Sequence, residues 1–140
     1  MDTEDLARAF IARTLPKPQW THEAHLRVGL WHVLHEAPDQ ALALLRERIR
    51  AYNEATGVAN TEDGGYHETV TRLYFHLIRH VVESSPGGLT PDELSRAVIE
   101  RIGAKDVPLR YYTAQRIFSR DARREWVEPD VQALPQVASP

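Results

Sequence analysis

Apolar positions recur along this chain at helical spacing, interrupted by short polar or proline-containing breaks. Leu6, Ala9 and Phe10, with Arg13 on the same side, predict a first helix from about Thr3 to Thr14. The two prolines of "LPKP" forbid its continuation. Thr21 is a good N-cap for a second helix running to about Glu36, where "APD" stops it. Asp39 is expected to cap a third helix, with Leu42, Leu45, Ile49 and Tyr52 on one face, ending at "ATG".

The segment "VANTEDGG" reads as loop. A fourth helix beginning near Tyr66 carries Val70, Leu73, Tyr74, Leu77 and Val81 inward and breaks at "SSPGG". "TPDE" then forms a capping box: Thr90 is the cap, Pro91 takes the first helical position and Glu93 reaches back. That fifth helix should end at Gly103, and a sixth is expected from about Pro108 to Trp126 with Tyr111, Ala114, Phe118 and Ala122 buried. "GVAN" and "DVPL" hint at strand but are too short to build a sheet. The expected fold is all-α: one domain over residues 1–140, an antiparallel bundle of five or six helices with residues 126–140 as an extended tail.

Composition narrows the chemistry. A chain of 140 residues can bury a core without staples, and 42% hydrophobic with 26% charged residues is the balance of a soluble globular domain. No apolar run approaches the ~20 residues of a membrane span, and the acidic, amphipathic "MDTEDLARAF" differs from a targeting peptide, so a cytoplasmic location is expected. With no cysteine, a metal would have to be held by His, Asp, Glu or Tyr. The net charge of −3 gives no general reason to expect nucleic acid. One local exception lies between Lys105 and Glu125, where six basic residues face three acidic ones. A solvated face is the plainer reading of that stretch, since no recognition motif accompanies it.

Short connections make successive helices antiparallel, so the second and fourth should run parallel, with their N-termini at one end of the bundle. At about 100° per residue, His22 and Gly29 lie beside the stripe of Leu26, Leu30 and Val33, with His25 and His32 at its margin. His67 projects with Val70 and Tyr74 from the first turn of the fourth helix. Tyr52 and Asn53, and then Tyr111, should arrive at the same end. First-turn histidines favour the neutral form, because the positive end of the helix dipole disfavours imidazolium. Neutral imidazole is what coordinates a metal or acts as a base.

His22, His25 and His67 are therefore the candidate ligands of a three-histidine centre for a divalent transition metal, Zn or Fe, with an open position for water or substrate. Glu68 and Tyr111 are the candidate catalytic groups, and Trp20, Asn53 and Tyr66 the candidate substrate contacts. Each has a plainer reading. Seven histidines yield roughly a third of an i, i+3 pair by chance, and the chain has two, His22/His25 and His32/His35. "HEAH" also lacks the i, i+4 spacing of the zinc-protease motif. Glu23 and Glu68 point away from the core side on the wheel and would be N-terminal charge partners. Trp20 could staple the helix start, Tyr66 and Tyr111 could be core aromatics, Asn53 and Asn60 could only cap and turn, and His32, His35, His76 and His80 read as structural.

The strings "LPKPQWTHEAHL" and "GYHETVTRLY", with "YNEATGVANT" between them and "YYTAQRIFSRDARREWVEPD" after, resemble an uncharacterised family of small bacterial proteins. The resemblance spans most of the chain and implies one domain without implying a reaction. Three functions follow from the residues: a metal-dependent enzyme, hydrolytic or oxidative; a metal-free enzyme in which His22 or His67 is the base and helix N-termini bind an anionic small molecule; or a regulatory, protein-binding helical module. The expected partner is a small-molecule substrate, with no membrane, nucleic acid disfavoured and a homodimer possible.

Overall fold

The structure is a computed structural model that describes residues 1–138. All regular elements among them are helical: α1 (Thr3–Ile11), a 3-10 turn (Lys17–Gln19), α2 (His22–His35), α3 (Pro38–Ala55), α4 (Glu68–Ser84), α5 (Pro91–Ile102) and three short helices, α6 (Val107–Tyr111), α7 (Ala114–Ile117) and α8 (Arg120–Arg124). No helix among the described residues is long and apolar enough to cross a membrane.

Local chemistry sets the boundaries. Asp2 and Thr21 cap α1 and α2 by accepting the backbone N–H groups of Asp5 and Ala24. Pro38 opens α3 after Ala37, and Asp39 lies in the first turn instead of capping it. The capping box at Thr90 and Glu93 forms as the sequence predicts, and Gly103 is the C-cap of α5.

Helix α2 packs against α1, α3, α4 and α5. Leu26 and Leu30 join a core with Leu73, Leu77 and Val98, while Ala24 and Val28 join a second with Phe10, Leu45 and Tyr52. A helix buried on two faces has no single apolar stripe, so its periodicity understates its centrality. His32 is fully buried there. Its Nδ1 donates to the carbonyl of Val28 at 2.8 Å, and Nε2 accepts from Arg48 at 3.0 Å. Burial and the nearby Arg48 cation hold it below the usual histidine range, the bond to Val28 acting in the opposite sense.

The expected sixth helix is three. Thr113 and Ser119 accept the backbone N–H groups of Arg116 and Ala122 and so restart the chain twice. Each restart resets the facing of the side chains. Tyr112 and Ile117 become fully buried, while Phe118, expected inside, is 73% exposed and Ala114 is exposed. The tail is extended but docked: Val127 N–H donates to Thr69 Oγ1, Tyr112 OH donates to the Val127 carbonyl, and His76 Nε2 donates to the carbonyl of Pro135.

Candidate functional site

A cavity of about 320 Å³ opens between α2, α3 and α4, and most of its lining is apolar. Leu45 and Ile49 of α3 form one wall, Val70, Phe75 and Ile78 of α4 another. Trp20, His22 and His25 line it from the start of α2, with Thr71 and Tyr74 facing them from α4. Gly29 sets the separation of α2 and α4, because a Cβ on it would lie 2.9 Å from Ile78 Cδ1. A glycine inside a helical pattern is the sequence signal of such an approach.

His22 supplies the unusual feature. Its Nε2 is buried and has no hydrogen-bond partner, the one side-chain nitrogen or oxygen in that condition among the described residues. Its ring meets Tyr74 edge-on, centroids 5.8 Å apart. A buried polar atom left unpaired costs about 1–3 kcal/mol, and it is a group that a ligand can satisfy. Tyr74, whose phenol is pushed up to about 12 by burial, is neutral at ordinary pH.

His25 is exposed by area, yet its ring lies face to face on Trp20, centroids 3.7 Å apart. Trp20 in turn stacks on Phe10 at 4.5 Å. The Nδ1–H of His25 donates to the carbonyl of Thr21 at 2.6 Å. Desolvation by these neighbours and the proximity of His22 lower its pKa despite that bond, so the ring is neutral near pH 7 with Nε2 as its basic nitrogen.

His67 does not line this cavity. It is the N-cap of α4, where Nδ1 accepts Val70 N–H at 3.1 Å and Nε2 donates to the carbonyl of Ile117 at 2.8 Å. Both nitrogens are therefore occupied, and desolvation lowers its pKa. The expected three-histidine cluster is split into a pair at the cavity and a cap elsewhere. Among the described residues, no three His, Asp or Glu side chains gather as a metal-binding group.

Glu68, expected to face away from the core, is 8% exposed and turned toward α3. Arg46 grips both its oxygens at 2.7 Å, and Tyr66 OH donates to Oε1 at 2.6 Å. Burial alone would raise the pKa of this carboxylate; the Arg46 cation and the Tyr66 hydroxyl outweigh it, and the net direction is down. The Tyr66 phenol is pushed up to about 12 by burial and by that carboxylate. Arg46, which was not among the expected site residues, is the partner that holds Glu68 charged, while its cation acts on Tyr66 against the upward shift. Asn53 donates to Asn60 Oδ1 at 3.0 Å, and Tyr111 is half-buried against the larger core, its carbonyl accepting from Val131 N–H. Of the expected site residues, Trp20, His22 and His25 share the cavity, and Asn53, Tyr66, His67, Glu68 and Tyr111 do not line it.

Compared with protein-family models, curated proteins and solved structures, the chain matches none.

Proposed function

We propose that the cavity between α2, α3 and α4 binds a small molecule with an apolar body and one polar group, held by His22. The carrying observation is the buried, unpaired Nε2 of His22, a residue that lines a mostly apolar cavity. At about 320 Å³ the space lies near the lower end of small-molecule sites, ~300–1,000 Å³. The N-terminal turns of α2 and α4 both border it, which favours a ligand whose polar group carries negative charge. In this metal-free reading His22 Nε2–H holds the ligand's polar group, and neutral His25, whose Nε2 keeps its lone pair, is the candidate general base beside it.

Metal-dependent chemistry through His22, His25 and His67 would require His67 to give up both a helix cap and a tether to Ile117. That cost places the metal-free reading first. The protein-binding reading has no comparable support, since a concave, mostly apolar cavity with a buried unpaired nitrogen on one lining residue serves a small ligand better than a flat partner surface.

Octanoate, octanol and octane, titrated while Trp20 fluorescence is followed, test the proposal. Octanoate should bind most tightly, octanol next, and His22→Leu should remove the preference for a polar head. Equal response to all three, or none to any, would contradict it. Metal analysis of untagged protein loaded anaerobically with Zn or Fe separates the alternatives: a stoichiometric metal lost in both His22→Leu and His67→Ala would restore the three-histidine centre.

A further inference from the structure

A second, polar cavity of about 270 Å³ lies between the C-terminal part of α3, the loop before α4, and α8. Arg50, Arg123 and Arg124 line it together with Tyr66 and a single acid, Glu62. Arg124 is engaged with Asp121 at 3.1 Å and Glu125 at 3.8 Å. Arg50 and Arg123 are not: among the described residues neither has a carboxylate within salt-bridge distance.

Both contact Tyr66. The Arg50 guanidinium lies over its ring, 4.8 Å from the centroid, and Arg123 Nη1 donates to the carbonyls of Gly65 at 3.0 Å and Tyr66 at 3.4 Å. The Tyr66 hydroxyl is committed to Glu68, so the ring cannot swing. The loop is equally constrained. Asn60 Oδ1 accepts from Asn53 and from Tyr66 N–H, and its amide donates to the carbonyl of Arg50. Gly65 holds φ +79, where a Cβ would lie 2.4 Å from the carbonyl oxygen of Ala59. Two guanidinium groups without a carboxylate partner, Arg50 exposed and Arg123 half-buried, thus meet a constrained loop at one concavity with donors to spare.

We propose that this cavity binds a small phosphate-type oxyanion through Arg50 and Arg123. Guanidinium forks match tetrahedral oxyanions in geometry, and two of them suit a doubly charged group better than a single carboxylate. A long polyanion fits poorly, because Glu62, Asp63, Asp121 and Glu125 surround the basic positions and the whole chain carries −3. Of the basic residues of α8 that stand out in the sequence, Arg123 acquires a role here independent of the His22 cavity, while Arg120 and Arg124 are paired with acids.

Inorganic phosphate, titrated into the full chain and followed by amide NMR against chloride at matched ionic strength, is the test. Phosphate should give saturable shifts confined to the 60–67 loop, Arg50 and α8. Arg50→Gln and Arg123→Gln should each weaken binding about tenfold or more. Arg50→Gln is the deciding variant, because its side chain makes no hydrogen bond within the described residues and its loss leaves the loop held. Glycerol phosphate binding more tightly than phosphate identifies an organic phosphate as the source, and equal binding identifies the free ion. Shifts matched by chloride, or an Arg50→Gln protein that binds phosphate unchanged, overturn the proposal.

Discussion

His67 donates from Nε2 to the carbonyl of Ile117 at 2.8 Å, joining the first turn of α4 to α7 across fifty positions of chain. The same ring accepts Val70 N–H at Nδ1. One side chain therefore caps a helix and ties the C-terminal third to the bundle. His67→Ala should cost about 2–3 kcal/mol in urea unfolding, combining a lost cap with a lost tether. His67→Asn, which can cap but not reach Ile117, should recover about 1 kcal/mol of it. Equal stability of the Ala and Asn proteins would show that the cap contributes nothing.

Glu68 joins Arg46 and Tyr66 in one polar cluster beneath the loop. Removing the carboxylate leaves the guanidinium and a buried hydroxyl without their acceptor. Glu68→Ala should destabilise by about 2–3 kcal/mol, below the ~3–5 kcal/mol of a fully buried pair because the Arg46 side chain is 35% exposed. Denaturant midpoints of the two proteins at neutral pH check this.

Acid should weaken the fold in two stages. His25, His32 and His67 have folded pKa values below the ordinary 6.5, so below that pH the unfolded chain binds more protons than the folded one. Their share of stability is complete above 6.5 and is lost as pH falls through the folded values. Glu68, held below 4.5, contributes stability that is complete above 4.5 and is lost beneath it. Urea midpoints measured down the pH scale should begin to fall just under 6.5 and fall further under 4.5. His32→Gln should make the first stage shallower, leaving the shares of His25 and His67, and Glu68→Gln should flatten the second.

Gly29 touches the candidate site through what it lacks. In Gly29→Ala a better helix former gains about 1 kcal/mol, while Ile78 must turn its Cδ1 away from a Cβ 2.9 Å distant. Stability should change by less than about 1 kcal/mol, and octanoate binding should weaken as the displaced Ile78 narrows the cavity. Octanoate titration and thermal unfolding of the same sample separate the two effects.

Much of the helical frame is legible in the sequence because caps and prolines act locally. Thr21, Thr90 with Glu93, and Gly103 mark boundaries through bonds to residues a few positions away. The region after Val107 is not legible in that way. Thr113 and Ser119 can sit within a helix or restart one, and tertiary bonds decide: Thr113 is held by Asp130 at 2.7 Å, and Tyr112 OH by the Val127 carbonyl. Bundle topology brings His22 and His25 to the α4 end of the groove, but it cannot show that His67 turns its ring toward Ile117. Nor can a helical wheel show that Glu68 faces α3, because Arg46 lies on another helix. Side-chain commitments across elements, more than element positions, separate the expected site from the observed one.

If His22 Nε2 is the polar contact for a ligand in the apolar cavity, that nitrogen must respond when the cavity fills. Nitrogen-15 NMR of the histidine rings during an octanoate titration reads this response at the atom concerned. His22 Nε2 should shift in step with saturation, with the His67 and His32 nitrogens unmoved. Saturation of the cavity with His22 Nε2 unchanged would contradict the assignment.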